Sequence, residues 1–346
     1  MSGFTSKLSV LNQRRWSNFT ANRRGYWSLW IIGALFLLSL FAEFIANDRP
    51  LLVSYKSQIY APVLFDYPET TFGGSFETPA DYNDAFLRNA IATNGWMVMP
   101  LIPFGHRTID FNLGRPAPAP PSAKHWLGTD NQGRDVLSRL IYGFRISMLF
   151  ALVLTIVSSI VGIAAGAVQG YFGGMTDLFF QRFIEIWGGL PQLFILIIVA
   201  SIIAPGFWTL LGVLLLFSWT SLVSVVRAEF LRARNLDYVR AAKALGMGDV
   251  SLMTKHILPN AMVATVTFLP FVLSGAVVSL TSLDFLGLGM PPGSASLGEL
   301  LRQGKENLQA PWLGFTGFFT IASMLTLLVF VGESVRDALD PRKTFS

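Results

Sequence analysis

Six stretches of about twenty mostly apolar residues recur along this chain of 346, and a bilayer core of roughly 30 Å needs about that many residues per helix. They cover approximately residues 27–46, 146–168, 178–204, 207–226, 261–281 and 313–331. The second and fourth carry no charge. The first holds Glu43 near its end, the third Arg182, Glu185 and a mid-run Pro191, and the fifth Pro270. Only 14% of the residues are charged and 52% are hydrophobic, whereas about 25% are charged in soluble domains. There is too little charge here to coat a water-facing surface. The expected fold is an all-α membrane protein with six transmembrane helices. The first run is too long for a cleaved leader and no small-residue cleavage site follows it, so it reads as an uncleaved anchor.

Basic residues set the orientation. Residues 1–26 contain Lys7, Arg14, Arg15, Arg23 and Arg24 and no acid, which places them in the cytoplasm. The connection 227–259 carries six Lys/Arg against three acids, and Arg336, Arg342 and Lys343 lie near the other end. With six spans all three segments share one side. The chain therefore divides into a cytoplasmic segment 1–26, a first span 27–46, an outer loop domain 47–145 and a five-helix core 146–346.

The outer loop is rich in Pro, Asn and aromatics and reads as a small irregular cap. Thr129 or Asp130 is expected to cap a helix, with Gln132 closing a capping box. Val136, Leu137, Leu140, Ile141 and Phe144 then share a face opposite Arg134, Asp135, Ser138 and Arg139, the pattern of an interfacial helix with its charges in water. Within the second run Gly162, Gly166 and Gly170 fall on one face, which predicts close helix packing. Arg182 and Glu185, three apart, are expected to pair.

Several chemistries are excluded. No cysteine is present, which removes disulfides, thiolate nucleophiles and cysteine-ligated metals. His106, His125 and His256 are far apart and leave no metal site, and the acids Asp130 and Asp135 near His125 read as caps and solvated charges. A nucleotide loop of the form G-x-x-x-x-G-K-[ST] is missing, since Gly304-Lys305 is followed by Glu306. An intramembrane hydrolase would need a Ser–His pair or paired acids at membrane depth, and no histidine lies in any apolar run. A channel would need a filter motif, and none occurs.

The cytoplasmic connection is the most informative stretch. Asp237 is a good N-cap, Ala241, Ala242 and Ala244 favour helix, and Gly246 is a natural terminator. A short helix exposing small residues results, with Gly246 expected to tolerate a side chain less well than Gly173 in the other cytoplasmic turn. A second helix from about residue 250 is expected to stop at Leu258-Pro259, with Asn260 capping the fifth span. Beyond that span, residues 283–292 are too broken by Gly and Pro to be helical throughout, and Ser296 with Glu299 forms another capping box. Non-helical backbone at membrane depth needs protein or water around it, which puts this segment near a central cavity. Asp284 borders it, available either to a ligand or to the turn itself.

Ala241-Ala242-x3-Gly246 followed by Leu258-Pro259 resembles the cytoplasmic loop of bacterial ABC importer permeases. Arg240 stands where that family has Glu and His256 where Ile is usual, departures that match its peptide-transport subgroup. Residues 127–139, opening Leu127-Gly128-Thr129-Asp130, agree with that subgroup, as do Phe285-Leu286-Gly287-Leu288-Gly289 and Gly332-Glu333-Ser334 through Asp340-Pro341-Arg342. The opening 22–30 and the long outer loop are most similar to the Yej-type branch, associated with oligopeptide and microcin C uptake. The resemblance spans essentially the whole chain. It implies a permease subunit, itself no enzyme, in the bacterial inner membrane, with 47–145 periplasmic. Its implied partners are a second homologous permease, two ATPase domains that bind ATP and Mg, and a periplasmic peptide-binding protein; no nucleic acid is involved. Asp237, Tyr238, Arg240, Ala241, Ala242, Lys243 and Gly246 would form the coupling helix to the ATPases, with Leu258, Pro259 and Asn260 ending the loop. Asp284, Phe285, Gly287 and Gly289 are candidates for the substrate path. The same machinery could carry nickel or another small solute, which the sequence does not separate from peptide.

Overall fold

The computed structural model describes residues 10–339. Lys7, Asp340, Pro341, Arg342 and Lys343, used in the reading above, lie outside the described residues.

Helices α1 (Val10–Ala21), α2 (Arg23–Leu40) and the short α3 (Ala42–Ile45) open the chain. The first apolar run is thus divided at Phe41 rather than continuous. Glu43, beyond the break, pairs with Arg145 at 2.9 Å. Next come strands β1 (Leu52–Tyr55) and β2 (Gln58–Tyr60), helix α4 (Ala85–Asn94) and strand β3 (Gly95–Val98). The strands form an antiparallel sheet in the order β2-β1-β3, a correction to the all-α expectation. The strands are three or four residues long, and the β1–β2 turn places Lys56 and Ser57 at positive φ without the Asn-Gly signature that would have advertised a hairpin. Val53, Tyr55, Phe72, Tyr82, Leu87 and Ile91 give this outer domain its own small core.

The membrane part follows. Helix α5 (Val136–Phe172) leads to α6 (Gly174–Gly188), α7 (Gln192–Ile202), α8 (Phe207–Ser218), α9 (Val223–Ala233) and α10 (Asp237–Ala244). A short α11 (Asp249–Ser251) runs through a π-helical turn (Leu252–Ile257) into α12 (Leu258–Phe285), then α13 (Leu297–Glu306) and α14 (Pro311–Leu339). Among the described residues four helical runs are long and apolar enough to cross a membrane: Val136–Phe172, Phe207–Ala233, Asp249–Phe285 and Pro311–Leu339. The pair α6 and α7 makes five if taken as one span. It bends by 67° between Gly189 and Pro191, so the third apolar run is a broken helix. Pro191, which lacks an N–H and cannot continue a helix, sits at the N-cap of α7.

Two other boundaries move. The N-cap of α5 is Asp135, whose side chain accepts from the Ser138 N–H at 2.8 Å; Thr129 and Asp130 do not cap it. The helix expected to stop at Leu258-Pro259 instead runs on, and Asp249–Phe285 is one element. Leu258 N–H bonds to Met253 O, five residues back. Pro259 follows where the π turn gives way to α geometry, so its missing N–H falls in a first turn, where proline is tolerated.

The membrane core sits between α5, α8, α12 and α14, where Phe150, Leu154, Leu214, Val277, Leu280 and Met324 pack together. In its second half, α5 lies against the Trp219–Leu222 turn and α9. A Cβ on Gly162, Gly166 or Gly170 would fall under 3.0 Å from the carbonyl oxygens of Trp219, Val223 and Arg227 respectively. Two rows spaced four apart therefore mesh backbone to backbone. Arg182 and Glu185 pair on α6 at 2.6 Å.

Candidate functional site

The connection between α9 and α12 builds a platform on α10. Its N-cap is Leu236, with no side-chain hydrogen bond, and Asp237 is the first helical residue rather than the cap. One residue anchors the helix. Val239 is 2% exposed and belongs to one buried cluster with Ala167 and Tyr171 of α5, Val226 and Phe230 of α9, and Ala261 of α12. Burying such a side chain contributes about 1.5–3 kcal/mol. Asp237, Tyr238, Arg240, Ala241 and Lys243 around it are exposed, and Ala242 is half-buried.

The helix ends in a left-handed cap. Gly246 has φ +84°; its N–H bonds to Lys243 O at 3.0 Å and Met247 N–H to Ala242 O at 3.2 Å. These are the two bonds of a Schellman motif. Leu245 beside it is 89% exposed, a leucine that none of the described residues covers. Tyr238 and the loop end meet directly: Asn260 Nδ2 donates to Tyr238 Oη at 3.1 Å and to His256 O at 3.2 Å. Asn260 is thus a strut between α10 and α12, not a cap. Lys243 lies 3.7 Å from Asp249, whose carboxylate accepts from Tyr171 Oη at 2.5 Å.

The broken segment after α12 ends its helix in the same way. Gly287 (φ +76°) donates to Asp284 O, and Leu288 donates to Leu283 O. The Asp284 side chain is buried and folded into this turn, with Oδ1 accepting from Met290 N–H at 2.7 Å and Oδ2 from Ser296 Oγ at 2.5 Å. Gly289 lies against Asp284 so closely that a Cβ would overlap its carboxylate. Phe285 is half-buried, its ring 5.5 Å from Lys305 Nζ. Ser296 caps α13 by accepting from Glu299 N–H at 3.1 Å, but the Glu299 carboxylate turns away from the cap toward two arginines.

Those arginines belong to a polar cluster that the sequence reading placed in solvent. Asp130, Arg134, Asp135, Ser138 and Arg139 are all 2% exposed or less. Arg134 Nε donates to Asp130 Oδ2 at 2.7 Å, and Arg139 Nη2 donates to Glu299 Oε2 at 2.7 Å and to Ser294 O at 2.9 Å. Gln303 completes the join, donating to Glu299 and accepting from Asn131 N–H. Two cations and two anions thus neutralise one another across the contact between the head of α5 and α13. The correction has a physical cause: α13 covers the face that looked solvent-facing from α5 alone. The equal number of acids and bases in the motif was the one available signal.

His125 stands beside this cluster and is 3% exposed. Its Nδ1 is 2.8 Å from Asp135 Oδ2 and its Nε2 is 3.0 Å from Asp110 Oδ2. Burial alone would push the imidazole down, but the hydrogen bonds and charges of Asp135 and Asp110 outweigh it and hold the pKa above the ordinary value. Burial would raise Asp110, yet hydrogen bonds from Lys124, His125 and the Asn112 backbone lower it to about 2. His106 behaves oppositely, lowered to about 4 by burial and by the charges of Arg107, Arg139 and Arg145.

The profile of the family described as "Binding-protein-dependent transport system inner membrane component" matches residues 158–345. The "Peptidoglycan transport system permease protein YejE" of Agrobacterium fabrum is 58% identical over 98% of this chain and 95% of its own length. The "Inner membrane ABC transporter permease protein YejE" of Escherichia coli is also 58% identical, over 98% of this chain and 99% of its own. The "Dipeptide transport system permease protein DppC" of Bacillus subtilis is 35% identical over 64% of this chain and 70% of its own. A solved chain of the MetNI methionine ABC transporter covers 58% of this chain and 96% of its own at 15% identity and a TM-score of 0.47, a level that carries no argument.

Proposed function

The chain belongs to the family of binding-protein-dependent transport system inner membrane components, and we propose that it is the permease subunit of an ATP-driven importer that moves peptides into the cytoplasm. The observation that carries this reading is 58% identity across 98% of the chain to permease subunits in two bacteria. The peptide class is supported by the printed names of the relatives, dipeptide transport for one and peptidoglycan transport for another.

In this reading the membrane is crossed six times. Helices α2 and α3 make the first crossing and the bent pair α6–α7 the third. Both ends lie in the cytoplasm, and residues 47–145 lie in the periplasm, where a peptide-binding protein delivers cargo. The chain pairs with a second permease, and two ATPase domains bind ATP and Mg beneath them. Helix α10 is the coupling element. Its exposed face, from Asp237 to Gly246, seats in the ATPase groove, and Leu245 fills a pocket there. Val239 passes the push on through the buried cluster it shares with residues of α5, α9 and α12. The π turn at Leu252–Ile257 is the place where α10 and α12 reorient, since its hydrogen bonding is already displaced from α register. Alternating access follows from rocking of these helices, with ATP binding as the energy source. The broken segment at Asp284 keeps one end of α12 rigid while the other end moves.

The test is uptake of a labelled oligopeptide into cells lacking this chain, complemented by the wild type and by Val239→Asp. Uptake that needs the chain and is lost with Val239→Asp, while the variant stays in the membrane, is the expected result. Uptake that is unchanged by deletion sinks the transport reading. Saturable ATP binding by the purified chain alone sinks the division of labour.

A further inference from the structure

The outer domain has one face that no other described residue covers. In the sheet, Leu52 pairs with Val98, and Ser54 pairs with Ile59 on one side and Trp96 on the other. Paired residues share a face. Val53, Tyr55, Tyr60 and Met97 therefore point into the domain core, and Leu52, Ile59, Trp96 and Val98 point away from it. These four are 42–71% exposed. No acid lies on that face, and Lys56 stands at the hairpin tip.

The position of the sheet says what covers this face. Glu43 and Arg145 pair immediately before the uncharged run 146–168, which marks the lipid–water boundary. Two residues further, Ile45 O accepts from Ile102 N–H at 2.9 Å, and Asn47 N–H donates to Ile102 O at 3.1 Å. The ladder continues with Leu51 N–H to Val98 O at 2.8 Å. Strands β1 and β3 thus lie close to the end of α3, which follows α2, and four residues of chain from Ile102 to Val98 reach at most about 14 Å. Exposed apolar residues recur along this path: Phe41 and Phe44, then Leu101, then Val98, Leu52 and Trp96. A tryptophan beside aliphatic residues, with a lysine and no acid nearby, is the composition of an interfacial anchor.

We propose that the Leu52–Ile59–Trp96–Val98 face of the outer domain docks on the lipid surface, at the boundary of headgroups and acyl chains, and fixes the domain beside the first membrane helix. The partner is the bilayer itself rather than a protein. The proposal rests on the reading of α2 as a membrane helix, which the test checks separately.

The chain has no cysteine, so single nitroxide labels can be placed without background. Ile59→Cys, Trp96→Cys, Ile31→Cys on α2 and Phe86→Cys on α4 would be labelled in the full chain. Each would be reconstituted in vesicles of phosphatidylethanolamine and phosphatidylglycerol. Collision with oxygen against a water-soluble nickel chelate reports depth. Positions 59 and 96 are expected to favour oxygen, at a depth shallower than position 31, while position 86 favours the nickel reagent. Water-type collision at 59 and 96 with lipid-type collision at 31 overturns the proposal alone. Shielding of 59 and 96 from both reagents also overturns it and assigns the face to a protein. Water-type collision at position 31 removes the membrane reading of α2 and the proposal with it.

Discussion

Arg139, on the first turn of α5, donates to Glu299 at 2.7 Å across 160 residues of sequence, and the arginine is fully buried while the glutamate side chain is 15% exposed. Around them Asp130 and Arg134 balance the charge. This quartet fastens the outer end of α5 to α13. Removing one partner leaves an uncompensated buried charge, which typically costs about 3–5 kcal/mol, whereas replacing the whole set with apolar residues can be neutral.

Arg139→Ala is accordingly expected to lower the thermal unfolding midpoint in detergent far more than Arg182→Ala, whose exposed pair with Glu185 contributes about 1 kcal/mol or less. Equal shifts for the two variants would show that the buried quartet is not holding the fold.

Gly246 and Gly173 separate function from folding. Gly246 needs φ +84° but a Cβ there meets nothing within 4 Å, whereas a Cβ on Gly173 (φ +64°) collides with the Arg234 guanidinium, which donates to Tyr171 O. A side chain at Gly173 therefore displaces a neighbour, which one at Gly246 does not. Gly246→Leu is expected to insert normally and lose uptake, with about 1–2 kcal/mol of helix-end strain. Gly246→Asn, which accepts a left-handed conformation, should restore much of the activity. Normal uptake by Gly246→Leu would remove α10 from the coupling role.

Packing at Gly166 predicts a graded effect. A methyl group there lies 2.7 Å from Val223 O and 2.9 Å from Val226 Cβ, so α5 and α9 must separate. Gly166→Ala is expected to destabilise by about 1–3 kcal/mol and Gly212→Ala, in open space, by little. Comparing their unfolding midpoints checks this.

His125 gives a pH dependence. Its pKa in the folded chain is raised, so its stabilising contribution is fully present below the ordinary histidine value of about 6.5. That contribution is lost as pH rises through the raised value. Asp110, lowered to about 2, works at the other end: its contribution is present above the ordinary carboxylate value and fades as pH falls toward 2. The wild-type midpoint should therefore exceed that of His125→Gln most at pH 5.5 and least at pH 9. A gap that widens with pH would refute the imidazolium bridge.

Much of this protein was legible from residue order because the bilayer imposes a local rule: about twenty apolar residues satisfy their own backbone as a helix. The core apolar runs, the short helix at 237–244, the terminator role of Gly246 and the alignment of Gly162, Gly166 and Gly170 on one face all depend on neighbours within a few turns. What lay beyond that range was decided by tertiary contact. The charges at Asp130, Arg134 and Arg139 look solvated on α5 alone and become buried only because Glu299, far along the chain, brings matching charge. Asp284 had two open roles, and the return of Met290 and Ser296 to its carboxylate engages it in the turn. The sheet escaped notice because strands of three or four residues carry no period long enough to read, and the hairpin of β1 and β2 is completed by a third strand at least 40 residues from β1. Pro259 was expected to end a helix, and the π turn before it let the helix continue. Local sequence determined which segments are helices, and long-range burial of charge and hydrogen-bonding groups decided how their ends are joined.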